Sequence, residues 1–246
     1  MELKDKVVLI TGSSSGIGKA AALKFAQEKA KVVVHYKTNK TGAQLTVDEM
    51  KNWGAEVIAV QADVVKPHEV KRLFSEVLKA FGTLDVLINN AGLAKPKPFL
   101  EITRDDLAEE FDKNFFSMVY SCQEAARIMQ KKDSGKIINV SSICGLTGCT
   151  SILTFTSARS AVTGFTKALA KILAPNIMVN AVAPGFTLTR FWDKMTDKEV
   201  KELLDSTLSK KWVTAEEIAD TFIYLTKNDS VTGQVIVVDG GYTTNI

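Results

Sequence analysis

Short apolar runs alternate along this chain with longer stretches of helix-forming residues. Lys6 to Ile10 (KVVLI) is the first such run and reads as a strand buried on both faces. Lys31 to Tyr36, Glu56 to Gln61, Leu84 to Asn89, Lys136 to Val140, Ile177 to Ala183 and Gln234 to Val238 repeat the pattern, giving seven strands. Helices are expected between them: Lys19 to Glu28, Thr41 to Trp53, Pro67 to Phe81, Thr103 to Lys131 with a bend near Asn114, Thr154 to Leu173, and Ala215 to Thr226. Pro67 suits a first helical turn, where its missing N–H costs nothing. Thr214 with Glu217 three residues on has the form of a capping box. Strict alternation of this kind predicts an α/β fold, a doubly wound seven-stranded parallel sheet with helices on both faces. Ligands of such sheets bind beyond the carboxyl ends of the strands.

Composition narrows the function without naming it. The chain has 246 residues, 46% hydrophobic and 24% charged, with a net charge of +3. That charge is too small to point to nucleic acid. No apolar stretch is long enough to span a membrane, and the first strand begins at once, with no signal peptide expected before it. Cys122, Cys144 and Cys149 have neither disulfide-framework nor zinc spacing, so a reducing, cytoplasmic location is expected. Two histidines at unrelated positions offer no metal site. With no linker or internal repeat, residues 1–246 read as one domain.

The informative residues lie at the predicted strand ends. Thr11-Gly12-Ser13-Ser14-Ser15-Gly16-Ile17-Gly18 joins the first strand to the first helix. Gly12 permits a tight turn, Gly16 lets backbone approach a pyrophosphate, and Gly18 lets helix and strand pack closely. Ser14, Ser15 and Ile17 would then face phosphates at the positive end of the helix. The plainer reading is a glycine-rich turn with no ligand. The second strand ends at His35-Tyr36-Lys37 without the acid that would hold a ribose 2′-hydroxyl and repel a 2′-phosphate. With Lys37 adjacent, this favours NADP(H) over NAD(H), although Lys37 alone also reads as a solvated surface lysine. Asp63 and Val64 follow the third strand as candidates for adenine contact. Asn90-Ala91-Gly92 follows Asn89 with small residues that leave room for a cofactor.

Taken in order, Thr11–Gly18, Asp63, Asn89–Gly92, Asn114, Ser141-Ser142, Pro184-Gly185 and the terminal Gly233-Gln234 to Asp239-Gly240-Gly241 resemble the short-chain dehydrogenase/reductase family nearly end to end. Val34-His35-Tyr36-Lys37 and Gln61-Ala62-Asp63-Val64 most resemble its 3-oxoacyl carrier-protein reductase and glucose dehydrogenase branches. The resemblance implies a Rossmann fold, a nicotinamide cofactor, a small-molecule substrate and a homotetramer. It places Pro184, Gly185, Thr187 and Thr189 against the nicotinamide amide and phosphate, and a substrate lid at 186–211. Phe186, Phe191, Trp192 and Met195 there suit an apolar pocket or ordinary packing equally.

The family's chemistry rests on an Asn, a Ser, a Tyr and a Lys. Asn114 and Ser142 stand where the first two belong, but Phe155 and Arg159 stand at the tyrosine and lysine positions. The flanking sequence matches without a gap, and Lys167 is two helical turns too far to substitute. Phe155 has no proton to transfer. Arg159 stays charged and can donate to ribose hydroxyls. Ser142 can still polarise a carbonyl. Among other donors, Thr154 and Thr156 are poor acids, Cys144 and Cys149 are either thiol donors or inert packing, and water remains. Three readings follow: an NADP(H)-dependent oxidoreductase of carbonyls or conjugated enones working without the phenol, a cofactor-binding sensor or partner subunit, and a chain exchanged deliberately at Phe155 or Arg159.

Overall fold

A computed structural model describes residues 1–188 and 195–245. Seven parallel strands form one sheet in the order β3-β2-β1-β4-β5-β6-β7. They are β1 (Val7–Ile10), β2 (Lys31–Tyr36), β3 (Val57–Gln61), β4 (Val86–Asn89), β5 (Gly135–Val140), β6 (Ile177–Pro184) and β7 (Val235–Val238). The strand order reverses at β1, which pairs with β2 on one side and β4 on the other, as Leu9 does with Val33 and Leu87. A doubly wound sheet opens its ligand crevice at that reversal.

Because side chains alternate across a strand, β1 feeds two cores. Val8 and Ile10 pack with Phe25 of α1 (Gly16–Gln27), Met50 of α2 (Lys40–Lys51) and Phe222 of α9 (Ala215–Lys227). Val7 and Leu9 pack on the other face with Phe74 of α3 (Pro67–Phe81), Met129 of α5 (Ser117–Gln130) and Val162 of α7 (Leu153–Leu173). Each fully buried side chain of this size contributes about 1.5–3 kcal/mol. These two layers hold the strand ends rigid beneath the site.

The helix expected over Thr103–Lys131 is not continuous. It runs as α4 (Arg104–Phe111), one π-helical turn over Asp112–Phe116, and α5. Asn114 sits at the centre of that turn, and such widened turns re-aim a side chain and a backbone carbonyl. The first helix starts at Gly16 rather than Lys19, so the last two loop glycines belong to its first turn. The expected lid contains α8 (Asp197–Asp205), capped reciprocally by Thr196 and Glu199. The candidate residues Thr189, Phe191 and Trp192 lie outside the described residues. No described helix is long and apolar enough to cross a membrane.

Candidate active site

The glycine loop is folded around a buried histidine. Gly12 N–H donates to His35 Nδ1 at 2.9 Å, and His35 Nε2 donates to Ala62 O at 3.0 Å. Those two partners require the neutral Nε2–H tautomer. His35 is 2% exposed, and burial pushes its pKa down to about 4. Ser13 completes the tie, accepting from His35 N–H and donating to Ile10 O. The sequence reading noted only that position 35 is not acidic and missed this role. The signal was a lone polar residue inside an apolar strand buried on both faces.

A stability consequence follows from the His35 pKa. The unfolded state binds a proton below about pH 6.5 and the folded state only near pH 4. His35 therefore supports the fold above pH 6.5, and this support is lost as pH falls through 4. The expected loss between pH 7 and pH 4 is on the order of 3 kcal/mol. Urea unfolding across that range should show the slope in the wild type, and His35→Asn should flatten it. An equal slope in both proteins would contradict the assignment.

Gly12 and Gly16 adopt φ of 66° and 54°, open to glycine but strained for other residues. A methyl group on Gly18 would collide with Gly12 O and lie 2.6 Å from Asn90 Nδ2. Asn90 Nδ2 donates to Thr11 O and Gly12 O, while Thr11 Oγ1 accepts from the amides of Asn90 and Ala91. The loops after β1 and β4 are thus laced together across the strand reversal. Ser15 precedes α1 without a side-chain cap, leaving the amides of the first turn for an anion.

These loops border a cavity of about 1010 Å³. It gathers Gly12, Ser14, Ser15, Gly16, Ile17 and Asn90 at one end. Ser142, Phe155 and Arg159 stand at the other, with Gly92 against Arg159 and with Pro184, Gly185 and Thr187 in the same lining. Asn39, Thr41 and Gly42 from the start of α2 also line it, a contribution the sequence reading did not contain. Among the described residues none of the lining side chains is a carboxylate, and Lys19 and Arg159 are cations.

Other expected residues stand away from the wall. Gly18, Ala91 and Asn114 support it without lining it. Val64 is buried in the second core, and Tyr36 packs against the first. Lys37 Nζ pairs with Asp63 at 2.8 Å, so neither is simply a solvated side chain. Burial penalises the Asp63 charge, yet Lys37 and the Val65 amide hold its carboxyl below the usual range. Phe186 lines the cavity and also packs edge-on against Tyr242, their ring centres 4.9 Å apart.

At the far end, Asn114 is 1% exposed. Its Nδ2 donates to Glu110 Oε1 at 2.8 Å and to the carbonyls of Glu110 and Leu93, and its Oδ1 accepts from Leu93 N–H. Ser142 Oγ accepts from Cys144 N–H at 3.2 Å, leaving its proton for another acceptor. Arg159 is 5% exposed, donates from Nη1 to Val140 O at 2.5 Å, and lies over the Phe155 ring at 5.1 Å. Its Nε has no hydrogen-bond partner among the described residues. Burial pushes its pKa down to about 10, with Glu110 opposing the shift, so the guanidinium stays charged at neutral pH.

The cysteine expectation is corrected. Cys144 and Cys149 form a disulfide. The short helix α6 (Cys144–Thr147) and a turn at Gly148, φ 83°, bring their Cα atoms to 4.9 Å. Thr156 Oγ1 donates to Cys149 O, fixing the same loop to α7. A disulfide sulfur carries no proton, which removes both residues as proton donors in this state. Cys122 is a buried thiol with its pKa pushed up to about 12 by burial, as inert packing requires.

A family described as Enoyl-(Acyl carrier protein) reductase matches residues 12–243. The chain belongs to the short-chain dehydrogenase/reductase family. A short-chain relative from Synechocystis sp., described as 3-oxoacyl-[acyl-carrier-protein] reductase, is 36% identical over 243 residues, 97% of each chain. A relative of the same description from Staphylococcus epidermidis is 35% identical over 240 residues, covering 96% of this chain and 98% of its own. Among solved short-chain structures, a 7α-hydroxysteroid dehydrogenase complexed with NADH and 7-oxo glycochenodeoxycholic acid superposes with a TM-score of 0.93. It is 30% identical over 98% of this chain and 96% of that one. The family is one of oxidoreductases, and the seven-stranded Rossmann-like architecture is its own.

Proposed function

We propose that this protein binds NADP(H) in preference to NAD(H) and delivers hydride to a small carbonyl compound or conjugated enone without a phenolic proton donor. The observation that carries the reading is a cavity running from an uncapped helix start to the buried Arg159 guanidinium, with no carboxylate among the described residues that line it. The residues fit a dinucleotide. A Cβ on Gly12 or Gly18 would crowd the loop, Gly16 takes a φ of 54° that suits glycine, and the orphaned Arg159 Nε is a donor in want of a hydroxyl. No acid stands at the end of β2 to repel a 2′-phosphate, the start of α2 lines the cavity beside the loop, and Lys37, paired with Asp63, supplies a nearby cation. Lys37 would exchange Asp63 for that phosphate.

A nicotinamide bound there supplies hydride. The Ser142 hydroxyl donates a hydrogen bond to the substrate oxygen and polarises the acceptor. Asn114, fixed by four hydrogen bonds of its side chain, holds the π-helical turn and Gly92 in place. Phe155 shields the reacting face from solvent and gives no proton. For a simple ketone that leaves the alkoxide unprotonated, a loss of about 10²–10⁴-fold in rate. For an enone, hydride adds to the β-carbon and the enolate takes its proton later from water, so Ser142 suffices. The test is turnover of a panel of matched enones and ketones with NADPH, followed by product mass. Enones should be reduced at the C=C bond while saturated ketones lag by at least about tenfold. Equal rates, or turnover of neither, would contradict the reading.

A second reading, a cofactor-binding sensor or partner subunit without turnover, is favoured by the loss of the phenol together with its tuning lysine. The family resemblance also supports a homotetramer.

A further inference from the structure

Glu110 has no part in the chemistry above. Yet it is a carboxylate 5% exposed, on the side of α4 that meets the π-helical turn and α7. Its Oε1 accepts from Asn114 Nδ2 at 2.8 Å. Asn114 and Arg159 in turn converge on Gly92, where an added methyl group would lie 2.5 Å from Asn114 Oδ1 and collide with Arg159 Nη2. Glu110 and Arg159 are therefore connected through one buried asparagine and one glycine. Among the described residues, Glu110 is the carboxylate whose charge acts on the guanidinium, and the two do not form a direct ion pair.

We propose that Glu110 is the built-in counter-ion of Arg159 and sets the balance between oxidised and reduced nicotinamide cofactor. The inference rests on the cofactor reading above. Arg159 stands at the end of the cavity away from the phosphate-binding loop, where the nicotinamide belongs. The oxidised ring is a cation and the reduced ring is neutral. An ionised Glu110 compensates Arg159 and so tolerates the oxidised ring. A protonated Glu110 leaves Arg159 uncompensated, and the reduced ring is favoured. Glu110 is thus a positioning residue that acts through Arg159 and Asn114 rather than by touching substrate.

The charges around Glu110 allow it to be read separately. Glu109 on the same helix is held below the usual carboxylate range by its hydrogen bond to Lys113, which also faces Glu110 from the π-helical turn. Arg159 faces it from α7. Burial pushes the Glu110 carboxyl up, against Lys113, Asn114 and Arg159, so it titrates above Glu109. Below that raised pKa the carboxyl is protonated and the compensation is lost. His35 and the cofactor's own 2′-phosphate act on both cofactor forms alike and cancel from a ratio of affinities.

The experiment is calorimetric titration of the full chain with NADP⁺ and with NADPH between pH 8 and pH 5, for the wild type and for Glu110→Gln. The amide keeps the oxygen that accepts from Asn114 and removes the charge. At pH 8, Kd for NADP⁺ divided by Kd for NADPH should be on the order of tenfold higher in Glu110→Gln than in the wild type, the worth of one elementary charge near the site at an effective dielectric constant of about 20, and the wild-type ratio should rise as pH falls toward the raised Glu110 pKa. In Glu110→Gln the ratio should already be raised at pH 8 and stay flat. A purely structural Glu110 would weaken both forms equally and leave the ratio unmoved, overturning the inference while the cofactor reading stands. Should the variant fail to fold, the wild-type pH series decides alone. Binding of neither form by the wild type overturns the cofactor reading, and the inference with it.

Discussion

The double variant Phe155→Tyr, Arg159→Lys should gain about 10²–10⁴-fold in NADPH-dependent reduction of simple ketones. The pair supplies the tyrosine and lysine that the resemblance to the short-chain family places at these two positions, while the frame proposed around them is already in place. Ser142 keeps a free proton, Asn114 is fixed by Glu110 and Leu93, and the Phe155 ring borders the same cavity as Ser142. A phenol on that ring adds one oxygen toward the space a carbonyl must occupy. The single Phe155→Tyr should gain less, because Arg159 Nη1 is committed to Val140 O and cannot tune a phenol as an amine can. Steady-state rates over a panel of ketones and aldehydes decide it. No gain in the double variant would mean that the cavity is shaped for something other than a carbonyl.

Gly18→Ala should weaken cofactor binding at least about tenfold, with a cost of about 1–3 kcal/mol in stability. Two effects oppose each other here. Gly18 is inside α1, where alanine is favoured over glycine by about 1 kcal/mol. Packing acts the other way: the new methyl would collide with Gly12 O, and lie 2.6 Å from Asn90 Nδ2 and 2.8 Å from Ser13 Cα. Two of those atoms are backbone in a loop pinned by His35, so they cannot yield cheaply. Packing should win, and the loop that wins it is the one that cradles phosphate. Calorimetry with NADPH reads the affinity and urea unfolding reads the stability.

The architecture was largely legible because it is written in periodicity. Runs such as Val7–Ile10 and Val32–Val34 have no polar face, and only a strand covered on both sides explains them. The residues of the cavity were legible where a backbone geometry demands a residue type, as at Gly12 and Gly16. What escaped is whatever depends on a partner far along the chain. His35 was read by the charge it lacks, whereas its function is set by Gly12 and Ala62. Nothing in the sequence around Glu110 marks it; the fold buries it against Asn114. The Cys144–Cys149 pair follows from one left-handed turn at Gly148, which spacing alone does not reveal. Lys37 and Asp63 were read as two independent contacts, and they hold each other.

The whole account depends on a dinucleotide cradle that persists although the phenol beside it is gone. Calorimetric titration of the wild-type chain with NADPH and NADH tests that directly. Saturable binding of NADPH at one site per chain, tighter than NADH, is the predicted result. Absence of binding by both would contradict it.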